Sequence, residues 1–424
     1  MSHRLATKPG VDFFMLSIVL ILIVTGILLV YDASFVFLIN QGGDGWKIVK
    51  LQALWALAGL LAMLAALYTP YHIWKKVATP LAIGVLLLLA AVLHPHIGVQ
   101  VKGARRWIFG HIQPSEFAKF AIVLFIAKWC AGKPRSMKSF WSGPFIPIAV
   151  MGLMAFLIAL EPDLGTCLVV LGAGFGALFF SGVRLRHFAI MLVIAALLIC
   201  AGVFLKSRHH GKDYQGPRWE VYLNPDKDHT GAGYQVYHSM IAVGTGGIFG
   251  RGLGNGAQKY YIPEPYTDFV FATLAEEGGL VASLTLLALL ALLVIRGLYI
   301  ATLTKDPFGA IFAGGISAGL GVQALLNISV VTSFLPDTGV PLPFISYGGS
   351  SLLTCLVSAG ILLSIYRYSE RDEGKPVAAA SASERDFDRR WNRGATLSRP
   401  EYGRSVNYRG PGAARSENSK RASR

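Results

Sequence analysis

Charge is scarce in this 424-residue chain: Asp, Glu, Lys and Arg make up 15% of it, where a soluble domain carries about a quarter. The scarcity is uneven, because residues 369–424 hold 13 Lys/Arg and 8 Asp/Glu, a third of all the charges. Residues 1–368 are therefore poorer still, and a soluble enzyme or a disordered scaffold fits badly. Cysteine is rare as well. Cys130, Cys167, Cys200 and Cys355 all fall inside apolar runs, with no CxxC pair and no metal-ligand spacing. That excludes a disulfide-built secreted module and leaves four small buried hydrophobes. No clear internal repeat is present.

What the chain has instead is hydrophobic sequence, 53% of the residues, with a mean hydropathy of +0.51. The uncharged run 13–31 is long enough, at about 1.5 Å per residue, to cross a bilayer core of about 30 Å. No small-residue cleavage site follows it, so it reads as a first transmembrane helix rather than a removable signal. Further spans are expected at 51–68, 78–94, 115–130, 144–160, 164–181, 187–205, 268–295, 307–333 and 350–368. Backbone groups in lipid must be satisfied internally, which makes every span helical. The expected fold is an all-α polytopic membrane protein of ten transmembrane helices. Residues 1–368 form the membrane domain, with a large extracytoplasmic loop (206–267) between helices 7 and 8. The basic stretch 369–424 reads as a disordered cytoplasmic tail.

Short connections fix the orientation. Lys75 and Lys76, Lys128 to Lys138, Arg184 and Arg186, and Arg296 with Lys305 lie on one side, together with Arg4, Lys8 and the tail. That side is cytoplasmic, and both termini lie there. Against the same bias, the connection between spans three and four carries GARRW (103–107), and the 206–267 loop is also basic. Positive charge on the external side suggests an anionic partner there. The alternative role for Arg105 and Trp107 is that of interfacial anchors.

Several polar residues stand where a membrane disfavours them. In QPSEFAK (113–119), Ser115 reads as a helix cap and Glu116 as an acid near the positive helix end. Lys119 pairs with Glu116 at i,i+3 or points into a cavity. In EPDLGT (161–166), Asp163 can cap span six, and Glu161 with Asp163 can hold a metal or a sugar hydroxyl. Asp268 is an N-cap of span eight or, at the lip of an anion-attracting pocket, a general base. Glu276 and Glu277 lie about 12 Å deeper along a helix and call for structural ion pairing, with Lys119 the expected partner. The stretch 335–351 is too rich in Pro and Gly for a helix and too apolar for a free loop. It reads as a re-entrant segment packed on protein, with Ser350 or Ser351 opening the last helix and amides suited to phosphate.

Five motifs in order, GARRW (103–107), QPSEFAK (113–119), EPDLGT (161–166), YIPEPYTDFVF (261–271) and PLPFISYGGSS (341–351), together resemble the SEDS family (shape, elongation, division and sporulation). GARRW and GLGNGAQ (252–258) are closer to its cell-division branch than to its elongation branch. Gly278 departs from the family pattern, which often has Leu there. The resemblance implies a peptidoglycan glycosyltransferase that polymerises lipid II on the outer face of the cytoplasmic membrane, at the division septum. It implies Asp268 as the catalytic general base. Substrate contacts are expected from Arg105, Arg106, Trp107, Ser115, Glu116, Lys119, Asp163, Gln235, Ser346 and Ser350. No organic cofactor is implied. A divalent metal, Mg or Mn, would sit at Asp268, Glu161 or Asp163. Implied partners are a class B penicillin-binding protein, other division proteins and membrane lipid, with no nucleic acid. The competing reading is a lipid II flippase, which needs a polar path across the whole bilayer; here the polar groups cluster on one side.

Overall fold

The computed structural model describes residues 10–40, 42–101, 104–108, 113–133, 141, 143–184 and 233–373. The expected seventh span, most of the basic part of the long loop and the tail beyond 373 lie outside these residues. Ten α-helices are described: α1 (Phe13–Asn40), α2 (Lys47–Tyr68), α3 (His72–Val92), α4 (Pro114–Gly132), α5 (Phe145–Leu160), α6 (Leu164–Phe180), α7 (Tyr234–Thr245), α8 (Val270–Leu303), α9 (Pro307–Val331) and α10 (Gly349–Glu373). A two-stranded antiparallel hairpin, β1 (Gly98–Val101) and β2 (Ala104–Ile108), joins α3 to α4.

Six of these helices (α1, α2, α3, α8, α9 and α10) are long and apolar enough to cross a membrane by length and composition, and α5 and α6 are shorter apolar helices. Their outer faces carry large hydrophobics that water would not tolerate in such numbers. Leu54, Leu57 and Leu61 of α2, for example, recur at helical spacing and are exposed.

The interior is built around α9, which packs on α4, α6 and α8. Its contact with α6 is made by small residues. A Cβ on Gly176 of α6 would fall 2.2 Å from the Cβ of Ala318, and one on Gly319 would fall 2.9 Å from that of Ala173. Small residues let helix backbones approach where no hydrophobic force drives helices together in lipid. Phe269, Phe308 and Phe312 are fully buried at these junctions.

Two features differ from the sequence expectation. Span eight begins at Val270 and is broken at Gly279, whose backbone (φ 65°, ψ −161°) is open only to glycine. The break releases the carbonyls of Glu276 and Glu277 and the amides of Leu280 and Val281. The segment after α7 fills it: Arg251 and Gly252 donate to Glu276 and Glu277 (both 3.0 Å), while Gly247 and Ile248 accept from Leu280 (2.9 Å) and Val281 (3.2 Å). Irregular backbone is thereby satisfied by protein rather than by solvent. The second difference is the last helix, which opens at Gly349 rather than at a serine. The preceding apolar stretch is irregular but buried through Val340, Leu342, Phe344 and Ile345.

Candidate functional site

Asp268 stands two residues before the first residue of α8 and is half-buried. It is not the cap: Phe269 occupies that position and makes no side-chain cap bond. Thr267 and Asn327 both hold Asp268. Thr267 donates its hydroxyl to Asp268 Oδ1 at 2.6 Å, with Glu264 O as the alternative acceptor at 2.8 Å. Asn327 of α9 donates to the main-chain carbonyls of Asp268 (2.7 Å) and Val340 (2.8 Å). A Cβ on Gly339 would lie 3.8 Å from Asp268 Oδ2, so the least bulky residue borders the carboxylate. Gly339 itself has φ +67°, and its amide donates to Asp337 Oδ1 at 3.0 Å.

The turn between α5 and α6 packs against the same loop. A Cβ on Gly165 would fall 2.3 Å from Val340 Cγ2 and 2.7 Å from Thr338 O. Asp163 caps α6, its Oδ1 accepting from the Thr166 amide and its Oδ2 from the Thr166 hydroxyl, all at 3.0 Å. Gln113 Nε2 also donates to Asp163 Oδ2 at 3.0 Å. Arg106 reaches from β2 and donates Nε to Glu161 O (3.1 Å) and a terminal nitrogen to Pro162 O. This arginine clamps the turn through main-chain carbonyls. Glu161 is buried, and neither of its carboxylate oxygens has a hydrogen-bond partner. Burial, reinforced by the charge of Asp163 and opposed by Arg106, pushes its pKa up to about 8.

Further in, Lys119 Nζ lies 2.6 Å from Glu116 Oε2 and donates to Gln323 Oε1 of α9 at 2.9 Å. Gln323 in turn donates to Pro341 O at 2.9 Å. Lys119, Val123, Gln323, Thr354, Cys355 and Ser358 border a cavity of about 40 Å³ between α4, α6, α9 and α10. Ser115 does not cap α4. Gln113 holds the cap position, and the buried Ser115 hydroxyl has no hydrogen-bond partner. Ser346 accepts from the Leu342 amide at 2.8 Å, and Ser350 O accepts from the Thr354 hydroxyl. Gln235 of α7 donates to Pro263 O at 3.2 Å. Trp107 is half-buried in β2, where it pairs with Val99; the side chain of Arg105 lies outside the described residues.

Glu276 and Glu277 do pair, but not with Lys119, which is held by Glu116 and Gln323. Glu276 accepts from the amides of Ala257 and Gln258 (both 2.9 Å) and from Arg251 (3.2 Å). Glu277 accepts from the amides of Gly254 (2.8 Å) and Gly256 (3.0 Å) and from Lys259 at 2.7 Å. The backbone of the glycine-rich segment competes for these acids, and a pattern of side-chain charges gives no sign of it.

A divalent metal finds a poor donor set here. Both oxygens of Asp163 are taken by Thr166 and Gln113, and Glu161 is sealed from solvent and holds its proton near neutral pH. Among the described residues, no group of three or more His, Cys, Asp or Glu side chains could hold a metal ion.

The family described as Cell cycle protein, which covers FtsW, RodA and SpoVE, matches residues 13–371. A protein of Geobacter sp. (strain M18) named probable peptidoglycan glycosyltransferase FtsW is 39% identical over 360 residues, 84% of this chain and 96% of the relative. Stage V sporulation protein E of Bacillus subtilis is 39% identical over 367 residues, 85% of this chain and 98% of its own length. Among solved structures, a chain from a peptidoglycan synthase complex described as coordinating polymerization and crosslinking superposes with a TM-score of 0.68 at 29% identity, covering 85% of this chain and 98% of that one. The rod shape determining protein RodA of Thermus thermophilus gives 0.62 at 27% identity, over 87% of this chain and 99% of its own.

Proposed function

The chain belongs to the Cell cycle protein family of FtsW, RodA and SpoVE, and from that membership we infer that it is a membrane-embedded peptidoglycan glycosyltransferase. Its substrate in this reading is lipid II, polymerised on the outer face of the cytoplasmic membrane. The described helices are then nine of ten spans plus the short α7, with the seventh span at 187–205. Both termini and the 369–424 tail lie in the cytoplasm, and 206–267 is extracytoplasmic. The resemblance to the division branch supports a location at the septum. The likeness to a chain from a peptidoglycan synthase complex supports a class B penicillin-binding protein as its partner.

Asp268 is the general base. It takes the proton from the 4-hydroxyl of an acceptor GlcNAc. That oxygen bonds to the anomeric carbon of the donor sugar, and the C–O bond to undecaprenyl diphosphate breaks with its electron pair leaving on the diphosphate. The observation that supports this role is the way the residue is held. Asn327 and Thr267 hold its main chain and one carboxylate oxygen, and Gly339 lies beside the other. A base must be placed this firmly for the reaction to gain from proximity. The diphosphate carries developing negative charge, which cations at the site stabilise. Lys119, opening on the interior cavity, and Arg105 are assigned that task. Arg106 serves the architecture of the turn, since its guanidinium is spent on the carbonyls of Glu161 and Pro162.

The test is reconstitution of the purified chain with its transpeptidase partner on labelled lipid II, followed by electrophoresis of the product. Wild type should give a ladder of glycan strands and Asp268→Ala none, with expression and melting temperature retained. Undiminished polymer from Asp268→Ala would remove the assigned base. Labelled lipid crossing the vesicle without any polymer would establish the flippase instead.

A further inference from the structure

Nine residues before Asp268, Lys259 is buried although it is a lysine; its side chain is only 2% exposed. Burial opposes its charge, so a lysine there needs close partners. Its ammonium has three acceptors, one for each proton: Asp32 Oδ1 of α1 (2.7 Å), Glu277 Oε1 of α8 (2.7 Å) and Gly254 O (3.3 Å). This single group ties together a helix from the start of the chain, the helix that follows Asp268 and the glycine-rich segment between them.

The consequence lies in the topology. Residues 247–258 are bonded to α8 at Glu276–Val281 through main chain and carboxylates. The arm 259–268 then runs back along the protein and ends on the aspartate that precedes the same helix. Both ends of the arm thus refer to α8, and between them it is fixed at a few points. Ile262 is buried, the Tyr266 carbonyl accepts from the Tyr347 amide at 2.9 Å, and Gln235 holds Pro263. At its start, His238 of α7 bonds Gln258 Oε1 at 2.7 Å and stacks on Tyr261 with ring centroids 5.2 Å apart. Without the ammonium, half-buried Asp32 and buried Glu277 would face each other as like charges, and the root of the arm would have to move.

We propose that Lys259 is a positioning residue for the chemistry assigned to Asp268: clamped between Asp32 and Glu277, it sets where the arm 259–268 delivers the aspartate. This rests on the glycosyltransferase reading above. The role is local, because the packing of α9 on α4 and α6 does not involve it. It is also distinct from substrate binding, because its three protons are already committed.

The experiment compares wild type, Lys259→Met and Lys259→Arg, each as full-length chain with its partner. Lys259→Met should lower the turnover number about tenfold or more, the scale on which misplaced catalytic groups act, with the half-saturating lipid II concentration changed less than about twofold. Lys259→Arg, which restores the charge and bridges both acids, should recover most of the turnover. Hydrogen exchange supplies a readout that needs no activity: in Lys259→Met, amides 254–268 should exchange faster while those of α9 keep their protection. Wild-type turnover in Lys259→Met, or unchanged exchange at 254–268, overturns the proposal and leaves the glycosyltransferase reading standing. So does a uniform loss of protection across all helices that arginine fails to rescue. If wild type itself forms no glycan while the exchange difference is present, the functional reading fails and the clamp survives only as architecture.

Discussion

Asn327 holds Asp268 by its main chain, donating one amide proton to the Asp268 carbonyl at 2.7 Å and the other to the Val340 carbonyl at 2.8 Å. One side chain thereby joins the residue before α8 to the loop that borders the carboxylate, and it does so from a third element, α9. The carbonyls it satisfies belong to residues outside the helices, Asp268 half-buried and Val340 buried.

Replacing Asn327 with leucine keeps the volume and removes both donors. The expected loss of stability is about 1–3 kcal/mol, the usual cost of orphaning buried polar groups. Turnover should fall by about tenfold or more, because the aspartate and the Gly339 loop lose their common anchor. Denaturant-free thermal melts and lipid II polymerisation on the same preparation check the two halves together. A variant that melts lower but polymerises normally would make Asn327 a packing residue only.

Much of this was readable from the sequence because lipid imposes simple rules. Long uncharged runs gave the apolar helices, Asp163 stood where a cap belongs, and the three-residue spacing of Glu116 and Lys119 matched one helical face. What escaped was held together by backbone. The partners of Glu276 and Glu277 are mainly amides of a glycine-rich segment, which carry no side-chain signature. The break at Gly279 looked like one more small residue in an apolar span. Asn327 and Gln323 were missed although a signal existed: polar amides four residues apart fall on one face of a helix that is otherwise apolar. The catalytic assignment of Asp268 came from resemblance, since capping accounted for an acid at that position equally well until Phe269 was seen to hold the cap.

Gly279 offers a direct check on the broken helix. Alanine there must take φ near +65°, and its Cβ would lie 2.3 Å from the Gly250 amide nitrogen. The backbone strain alone costs about 1–3 kcal/mol, and the clash adds to it because backbone cannot step aside. Gly279→Ala should therefore melt well below wild type and lose the protection of the Leu280 and Val281 amides. Alanine at Gly84, where a Cβ meets nothing within 4 Å, should leave both unchanged. Equal melting of the two variants would mean that α8 is continuous in the membrane.

The buried carboxyl of Glu161 makes the final prediction one of pH. Folding raises its pKa from 4.5 to about 8, so in that window the folded protein holds a proton that the unfolded chain has released. Stability then falls as pH rises, by at most about 1.4 kcal/mol per pH unit for one proton. The full stability is present below the unfolded value, and the loss is complete above the folded one. Arg106 cannot cancel the effect, because its guanidinium is directed at the carbonyls of Glu161 and Pro162 rather than at the carboxylate. Asp163 adds to it, since its charge repels a second one nearby. Glu161→Gln keeps the shape and removes the ionisation. Its melting temperature should match wild type near pH 5 and exceed it increasingly up to about pH 8, with a constant gap beyond. Parallel melting curves from pH 5 to 9 would show instead that the carboxylate is ionised in place, and that Arg106 turns from the backbone to meet it.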